Sequence, residues 1–509
     1  MPRAMTEDAA SPAPSAAEVL TGARPEARGP RGFIDRRGRD LIAERRIVST
    51  VSAVYERWGF EPLETGAFEY ADALGKFLPD ADRPNEGVFA LQDDDDQWMA
   101  LRYDLTAPLA RFAAQNWETL PKPFRRYAYG PVFRNEKPGP GRFREFVQCD
   151  ADTVGSDRPE ADAEIIAMAL EALGALGLDE DRAVFKIASR KLVNGVLEAA
   201  GVTTPGQTLA VLRAVDKLDR LGAEGVELLL GEGRLDESGD FTRGAGLGRA
   251  GIDAVLAFLA VDAGGSRSQV INALDAVVGG TAAGSQGLAD LSRIDAALTS
   301  MGVGDAARID PSVVRGLEYY TGAVFEAELM LDARDDKGRP VRFGSIGGGG
   351  RYDDLVARFT GQAVPATGVS FGVSRIVSAL AAAGRPMAAE ARGPVVVIAF
   401  SEDDMPHYFA AAAELKAAGV PAEVYLGRAG MKAQMKYADR RAAPAVLLLG
   451  GDEIAAGQVT IKDLDAGRAA AAGISDNEAW KSARPGQQTV ARGDMVRTVK
   501  AIIEAPSIK

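Results

Sequence analysis

Apolar residues near the start of the chain recur at the spacing of one helix face. They are Ile47, Val48, Val51, Val54, Tyr55 and Trp58. This spacing predicts an amphipathic helix that ends at Gly59, since glycine is common just after the last helical residue. Residues 60–63 then read as extended chain, and Pro62 confines that segment to a sheet edge or an interface because proline has no backbone N–H.

Short apolar runs separated by turn residues predict antiparallel hairpins in the next part of the chain. Residues 89–91 and 98–101 flank four aspartates at 93–96, which predicts a hairpin with a charged tip. We favour a solvated turn over a magnesium site there, because nothing else converges on this run of like charges. Residues 127–133 and 145–153 predict a longer hairpin with a basic, mobile loop.

The middle of the chain changes character. Residues 160–308 are rich in Ala, Leu and Gly and predict helices. Strand character returns at 319–328 and again at 367–371, which leads into a helix from Val373. Part of the helical stretch, about residues 190–308, is therefore predicted to be an insertion, so that residues on both sides of it belong to one site.

The end of the chain alternates strands and helices after a linker near residues 382–394. The strands are predicted at residues 395–400, 422–426, 445–449 and 458–461. This alternation predicts a compact α/β module that forms a domain of its own.

Composition limits the classes of protein that remain. With 509 residues, of which 46% are hydrophobic, the chain can form more than one core. Its apolar runs are far shorter than the roughly 20 residues that cross a bilayer, so no membrane span is expected. Residues 1–30 lack the apolar core of a secretory signal and are interpreted as a disordered leader, and we expect a cytoplasmic protein.

The chain has one cysteine and one histidine. Cys149 alone excludes an intramolecular disulfide and a cysteine-based zinc cluster within one chain. His407 lies in an acidic segment without a nucleophile motif, so we expect that protein imidazole does not drive the chemistry. Cys149 is interpreted as a packed strand residue and His407 as a loop or helix-start residue.

Charge is unevenly distributed. The net charge of −13 argues against a surface that coats nucleic acid indiscriminately, although residues from 393 onward carry equal numbers of acidic and basic side chains. In that part Lys432, Lys436 and Arg440 are spaced by four and predict a basic stripe on one helix face. On spacing alone, an RNA contact and an ordinary solvated face remain equally open.

The densest polar segment is residues 134–148, where Arg134, Arg142 and Arg144 surround a flexible turn. Alternation along a strand places Arg142 and Arg144 on one face. Guanidinium groups held on a hairpin suit phosphate binding, because the planar fork can contact two oxygens. The segment therefore favours nucleotide or phosphoryl chemistry, although neither a P-loop nor a dinucleotide fingerprint is present.

Two further segments are weaker signals on their own. Arg315 precedes two tyrosines, Tyr319 and Tyr320, and a buried arginine among tyrosines can be purely structural. Residues 344–353 are glycine-rich, which allows a ligand to approach the backbone closely but is common elsewhere.

Taken in order, these segments resemble the class II aminoacyl-tRNA synthetases, and specifically the histidyl-tRNA synthetase family. Residues 47–63 resemble motif 1, residues 134–148 motif 2 and residues 368–375 motif 3. Residues 315–320 resemble the first histidine-specific motif, Arg-Gly-Leu-Asp-Tyr-Tyr, and residues 348–352 the second. Residues 430–440 and 449–453 are similar to the family's anticodon-binding domain, so the resemblance extends from about residue 30.

The resemblance implies a role for each matching residue. Arg134, Arg375 and Arg315 would be catalytic, with Arg315 at the α-phosphate. Arg134, Glu136, Arg142 and Arg375 would bind ATP. Asp104, Thr106, Gln148, Asp152, Arg315, Tyr320 and Tyr352 would bind histidine, and Lys432, Lys436 and Arg440 would contact tRNA. No dedicated metal site is implied, and Mg²⁺ would be bound mainly through ATP.

The resemblance also implies the architecture and the partners. The fold is expected to be α+β, an antiparallel sheet flanked by helices, with a helical insertion and a C-terminal α/β anticodon-binding domain. The expected limits are a leader at 1–30, a catalytic domain at 31–390 with the insertion at about 190–308, and the anticodon-binding domain at 391–509. The expected partners are L-histidine, ATP, tRNA(His) and a second copy of the chain in a homodimer.

Some positions depart from the usual pattern. Asp104 and Asp152 stand where many bacterial members have glutamate, Ser374 replaces a common glutamate, and Glu318 replaces aspartate. The alternative interpretation is a non-catalytic relative, the synthetase-like regulatory subunit of ATP phosphoribosyltransferase that senses histidine. Such subunits lack the C-terminal module and tend to lose the first histidine motif, whereas this chain has both, which favours the enzyme.

Overall fold

A computed structural model of the protein describes most of the chain. The described residues are 26–77, 87–139, 143–179, 182–235, 239–313, 320–330, 333–334, 340–341, 344–382, 392–466 and 486–505. They fall into two compact units, divided between residues 387 and 388. Most of the predicted leader lies outside the described residues. No helix in the described part of the chain is both long enough and apolar enough to cross a membrane.

The first unit is built on the strands and helices that follow. Its strands are β1 (Glu61–Pro62), β2 (Phe68–Tyr70), β3 (Ala90–Gln92), β4 (Trp98–Leu101), β5 (Phe124–Phe133), β6 (Glu145–Val154), β7 (Ala183–Ser189), β8 (Gly233–Leu235), β9 (Phe241–Arg243), β10 (Ala307–Ile309), β11 (Ala323–Leu329), β12 (Ala333–Arg334), β13 (Pro340–Val341), β14 (Ser345–Arg351) and β15 (Ala366–Gly372). Its helices are α1 (Arg39–Arg57), α2 (Thr106–Asn116), α3 (Pro159–Ala175), α4 (Arg190–Ala199), α5 (Pro205–Val215), α6 (Leu218–Leu230), α7 (Arg249–Leu259), α8 (Arg267–Val278), α9 (Ala282–Ser300), α10 (Ala357–Thr360) and α11 (Val373–Ala382). A 3₁₀ helix spans Ala71–Phe77.

One large sheet organises this unit. Its strand order is β1-β5-β6-β15-β14-β11-β7-β10. The pairs from β5 to β7 are antiparallel, and each edge strand, β1 or β10, pairs in parallel with its neighbour. Pro62 lies in the edge strand β1, as its missing N–H predicted.

The two faces of the sheet have different partners. On one face Val147, Cys149 and Ala151 of β6 belong to the core formed with α1 and α3. Side chains alternate along a strand, so Gln148, Asp150 and Asp152 point to the other face. A smaller core on that face, including Leu109 and Phe124, packs around α2. The polar face of β6 is therefore the face on which a ligand site can form.

Residues 190–300 form helices α4 to α9 together with the β8–β9 hairpin. This agrees with the helical pattern, except that the segment predicted as helical also contains β7. That strand is buried along nearly its whole length, because Phe185 and Ile187 pack into the large core on one face and Ala188 into a smaller cluster on the other. Strands buried on both faces lose the alternation that marks half-buried ones, which explains why the pattern did not reveal it.

The second unit is a five-stranded mixed sheet with helices. Its strands are β16 (Val395–Ile398), β17 (Ala422–Val424), β18 (Ala445–Leu448), β19 (Gln458–Asp463) and β20 (Gln487–Ala491), in the order β17-β16-β18-β19-β20. Its helices are α12 (Met405–Ala417), α13 (Met431–Arg440), α14 (Gly451–Ala456) and α15 (Met495–Glu504). The predicted α/β module is therefore confirmed, and the chain has the predicted α+β class.

Candidate active site

A pocket of about 320 Å³ lies over the polar face of the large sheet. Its walls come from the β5–β6 hairpin, from β14, and from the junction of β15 with α11. The lining residues are Arg134, Glu136, Phe143, Phe146, Gln148, Tyr320, Ser345, Ile346, Gly347, Gly348, Ser370, Gly372, Ser374 and Arg375. The pocket thus brings together five of the residues predicted for ATP or histidine: Arg134, Glu136, Gln148, Tyr320 and Arg375.

Arg134 is held between two aromatic rings. Its guanidinium carbon lies 4.3 Å from the centre of the Tyr103 ring and 5.1 Å from that of Phe146. The Tyr103 hydroxyl in turn donates a hydrogen bond to Glu136 at 3.2 Å. Stacking of this kind fixes a guanidinium without using up its N–H groups, so Arg134 is preorganised to bind an anion.

Arg144 has a different role from the one that strand alternation suggested. Its guanidinium donates to the backbone carbonyl of Glu136 at 3.0 Å, and it lies just before β6 rather than within it. It does not line the pocket. Arg144 therefore shapes the hairpin loop, whereas Arg142, its predicted companion, lies outside the described residues.

Arg375 and Gln148 also line the pocket. Arg375 lies in the first turn of α11 and donates to the backbone carbonyl of Ser345 on β14. Gln148 donates to the hydroxyl of Ser370 at 2.5 Å, which joins β6 to β15 across the floor. These contacts connect three strands and one helix around the cavity.

The glycine run of β14 has a packing function that can be stated atom by atom. A Cβ on Gly347 would lie 2.5 Å from the ring of Phe371, and one on Gly349 would lie 2.0 Å from the carbonyl oxygen of Gly368. Both separations are too short for side chains. The glycines thus allow β14 to pack closely, and Gly347 and Gly348 leave the pocket floor open.

A buried acidic end adjoins this pocket. Asp152 accepts a hydrogen bond from the hydroxyl of Tyr352, and its other carboxylate oxygen lies 2.9 Å from Nη2 of Arg126. Asp152 and Arg126 are both nearly inaccessible to solvent, at 2% and 0%. Burial raises the pKa of Asp152, and the positive charge of Arg126 opposes that rise.

Tyr352 is positioned by the arginine that precedes it. Arg351 donates through Nε and Nη2 to one oxygen of Asp162, at 3.0 and 2.7 Å. It also donates to the backbone carbonyls of Ser156 and Arg158, each at 2.8 Å. This buried arginine therefore fixes the end of β14, from which Tyr352 reaches Asp152.

Asp104 has a defined local role as well. One of its carboxylate oxygens accepts the backbone N–H groups of Thr106, at 3.0 Å, and Ala107, at 2.8 Å. It thereby satisfies free donors at the start of α2. Burial raises the pKa of Asp104, and Arg134 and Arg126 are close enough to lower it. Asp104 therefore lies between the two ends of the site.

Two charged residues of the acidic end, Arg126 and Asp150, match no motif that would assign them from sequence. A signal nevertheless exists, since Asp150 lies two residues from both Gln148 and Asp152 and so shares their strand face. Arg126 is a fully buried arginine within a strand, and one of its N–H groups donates to the carbonyl of Leu105 at 2.9 Å. A buried charge of this kind needs an acidic partner.

The remaining predicted residues lie elsewhere. Arg315 is outside the described residues, so its predicted place at the α-phosphate remains a prediction. Lys432, Lys436 and Arg440 are all exposed on α13 of the second unit, opposite its buried Gln434 and Ala438. Cys149 is buried in β6 and His407 is exposed in the first turn of α12, as predicted.

Comparison with known proteins identifies the family. A family model described as histidyl-tRNA synthetase matches residues 32–376. The chain belongs to the histidyl-tRNA synthetase family. A second model, the anticodon binding domain, matches residues 394–483, within the second unit.

Individual members of the histidyl-tRNA synthetase family are similar to this chain over nearly its whole length. The histidine–tRNA ligase of Caulobacter vibrioides is 71% identical over 484 residues, which cover 95% of this chain and 98% of that protein. The histidine–tRNA ligase of Brucella ovis is 54% identical, with 94% and 96% covered. The crystal structure of histidyl-tRNA synthetase from Nostoc sp. PCC 7120 superimposes with a TM-score of 0.70 at 27% identity, covering 94% of this chain and all of that one. The predicted class II fold with its C-terminal domain is confirmed.

Proposed function

We propose that this chain is a histidine–tRNA ligase, which activates L-histidine with ATP and transfers it to the 3′ end of tRNA(His). The observation that carries the proposal is the 71% identity to a histidine–tRNA ligase over 95% of the chain. The pocket supports it, because it joins an anion-binding end to a buried acidic end on one sheet.

The anion-binding end holds ATP in this proposal. Arg134, stacked between two rings, and Arg375, at the start of α11, both line the pocket and contact the phosphates. Glu136 contacts the adenine end, Arg142 contacts the nucleotide, and Arg315 contacts the α-phosphate. Guanidinium groups positioned in advance stabilise the charge that develops during displacement at phosphorus.

The acidic end holds the amino acid. Imidazole has two different nitrogen atoms, each of which needs a donor or an acceptor. Asp104, Thr106, Gln148, Asp152, Arg315, Tyr320 and Tyr352 would together bind the ammonium group and the ring. A site of this kind discriminates strongly against apolar amino acids, because they leave its buried polar groups unpaired.

The reaction then needs two displacements. A carboxylate oxygen of histidine bonds to the α-phosphorus of ATP, and the bond from that phosphorus to pyrophosphate breaks. A hydroxyl of the terminal tRNA adenosine next attacks the activated carbonyl carbon, and AMP leaves. The first nucleophile is already ionised near neutral pH, so the protein mainly positions groups and neutralises charge.

Magnesium is expected as a ligand of ATP. In the described part of the chain, no three acidic, histidine or cysteine side chains converge into a cage, and Glu136 is the carboxylate among the pocket-lining residues. This donor set fits an ion held chiefly by phosphate oxygens. When bound, the ion supplies neutralisation of phosphate charge.

The larger organisation follows the same proposal. Residues 31–390 form the catalytic domain with its insertion at about 190–308, and residues 391–509 form the anticodon-binding domain, whose Lys432, Lys436 and Arg440 contact tRNA. The enzyme acts in the cytoplasm as a homodimer. A groove beside α1 and β5, where Tyr129 is 55% exposed, supports a second copy at the segment that resembles motif 1.

The regulatory subunit of ATP phosphoribosyltransferase is the less favoured alternative. The match of an anticodon-binding model to residues 394–483 counts against it, as do histidine–tRNA ligases at 71% and 54% identity.

The test is ATP–pyrophosphate exchange with each of the twenty amino acids. We expect exchange with histidine alone, and a loss of about 100-fold or more in kcat/KM for Arg134→Ala. Arg249→Ala, which changes an exposed arginine of the insertion, is the matched control and should leave exchange unchanged. Histidine binding by calorimetry without any exchange would favour the regulatory subunit instead.

A further inference from the structure

Asp150 occupies a distinctive position beneath the pocket floor. It lies on β6 between Gln148 and Asp152, on the same strand face, and it is only 1% exposed. Its cross-strand neighbours are Ala128 on β5 and Ser370 on β15, both of which are short side chains. Asp150 therefore lies between Gln148, which lines the pocket, and Asp152, which belongs to the acidic end.

The hydrogen-bond partners of Asp150 differ from those of the neighbouring carboxylates. Asp104 accepts two backbone N–H groups, and Asp152 accepts the Tyr352 hydroxyl. By the distance and angle limits of an ordinary hydrogen bond, neither oxygen of Asp150 has a partner among the described residues. The Ser370 hydroxyl, which accepts from Gln148, lies close enough to lower the pKa of Asp150. The oxygens of Asp150 can therefore still accept hydrogen bonds, and Ser370 connects Asp150 to the pocket.

Among the described residues, two carboxyl groups, Asp104 and Asp152, and the guanidinium of Arg126 act on Asp150. Asp150 and Asp152 are fully buried and Asp104 is partly exposed, while Arg126 is the cation paired within the cluster. Arg102 lies farther away, where it donates to the carbonyls of Pro131 and Thr65 and also faces Glu64 and Glu69. Arg134 faces Asp104, and Tyr352 donates to Asp152. Further titratable groups near the cluster include Tyr320 at the pocket, and Tyr55 and Cys149 across the sheet.

A carboxylate buried beside other carboxylates is costly, so a group in this position keeps its proton. Burial, followed by the charge of Asp152, raises the pKa of Asp150 to about 8. In the empty pocket at neutral pH, Asp150 is therefore mostly neutral. A cation that entered the pocket would add positive charge beside these carboxyl groups and favour loss of that proton.

We propose that Asp150 is a positioning residue of the amino-acid pocket, which ionises when the ammonium group of the substrate enters and acts through the Gln148–Ser370 pair. This inference rests on the proposed function. The proton leaves the carboxyl group for solvent, and no covalent bond of the substrate changes. Ionised Asp150 then orients Ser370 and Gln148 and offsets the charge of the ammonium group.

The proposed proton release determines the direction in which histidine affinity changes with pH. Because binding requires loss of a proton from Asp150, the affinity for histidine rises as the pH rises towards about 8. Histidine itself titrates in this range, so the contribution of Asp150 is the difference between the natural chain and a variant that cannot ionise at that position.

The experiment is titration calorimetry of histidine binding at pH 7 in two buffers with different ionisation enthalpies. We expect release of about one proton per site from the natural chain. Asp150→Asn, which has nearly the same shape, should release none and should bind histidine about tenfold or more weakly. Cys149→Ala, the next residue on the opposite strand face, is the matched control and should behave like the natural chain.

Other outcomes separate the possible failures. Asp150→Asn with unchanged affinity, or with weaker affinity but the same proton release, would overturn the role of Asp150. Thermal melting shows whether the variant is folded, and Asp150→Ser repeats the test with a smaller neutral side chain if Asn does not fold. A natural chain that binds no histidine and catalyses no ATP–pyrophosphate exchange would overturn the proposed function and this inference together. Exchange without proton release would overturn this inference alone.

Discussion

A few side chains hold the predicted binding residues of the site in position. Arg134 is presented to the pocket by Tyr103 and Phe146, and Asp152 is held by Tyr352 and Arg126. The family motifs predicted binding roles for Arg134, Asp152 and Tyr352, which remain predictions, and the structure shows Tyr352 in contact with Asp152. Arg126 could not be predicted in the same way, since only the register of β5 against β6 brings it opposite Asp152.

At the residue scale, Asp150→Asn should change how stability depends on pH. The pKa of Asp150 is raised to about 8 in the folded chain, against roughly 4 in an unfolded one. The folded state therefore binds more protons, and its stability falls as the pH rises from about 4 to 8. By this linkage we expect the variant to gain up to about 5 kcal/mol in free energy of unfolding, relative to the natural chain, over that range.

Urea denaturation of the ligand-free proteins at pH 4.5, 6, 7.5 and 9 would measure this gain. Cys149→Ala removes a buried thiol and should lie below the natural chain by a similar amount at every pH. A constant difference between Asp150→Asn and the natural chain would mean that Asp150 is already ionised in the empty pocket.

At the scale of elements, strands and helices divide the work differently. The β5–β6 hairpin and β14 supply the pocket floor and its walls. The alternation of side chains along β6 separates an apolar face from a polar one. Helix α13 instead presents its cations outward, because Gln434 and Ala438 are its buried positions. Gln434 donates to the carbonyls of Ala399 and Ala429, which fixes the helix and thus the direction of its basic stripe.

Charge reversal on α13 should weaken tRNA binding. For the double variant Lys432→Glu, Lys436→Glu we expect a loss of about tenfold or more in affinity for tRNA(His) at low salt, and a shallower dependence of affinity on salt. ATP–pyrophosphate exchange should remain unchanged, since it involves no tRNA.

Filter binding across a salt series would measure the effect. The matched control is Lys416→Glu, Lys500→Glu, which makes the same charge change at exposed positions of α12 and α15. If both double variants bind tRNA alike, the stripe is an ordinary solvated face.

At the scale of the whole molecule, the described residues form two units with separate apolar cores. The largest core joins the sheet, α1, α3 and the insertion helices, whereas the second unit has cores of its own around β16 and β18. The chain leaves the large sheet after β7 and returns at β10 and β11, so the insertion interrupts one catalytic unit. The helical pattern predicted this interruption, but not the strand β7 that begins it.

A chain that ends at residue 387 should fold and keep amino-acid activation, because its core is complete without the second unit. We expect a cooperative thermal transition and ATP–pyrophosphate exchange within about threefold of the full chain. Aminoacylation of tRNA(His) should fall by about 100-fold or more, since the tRNA contacts proposed for the second unit would be lost. An aggregated fragment without exchange would contradict the independence of the two cores.

The sequence by itself determined the local elements and the family. Helix α1, the hairpins and the C-terminal module follow from apolar periodicity and turn residues, which act over a few neighbours. The motifs singled out five residues that line one pocket, because each motif is continuous in the chain: Arg134, Glu136, Gln148, Tyr320 and Arg375. Only the tertiary structure decided which charges are buried together, since Asp104, Arg126 and Asp150 come from separate segments. Burial and pairing of charges depend on strand register and on desolvation, and neither is visible in a linear pattern.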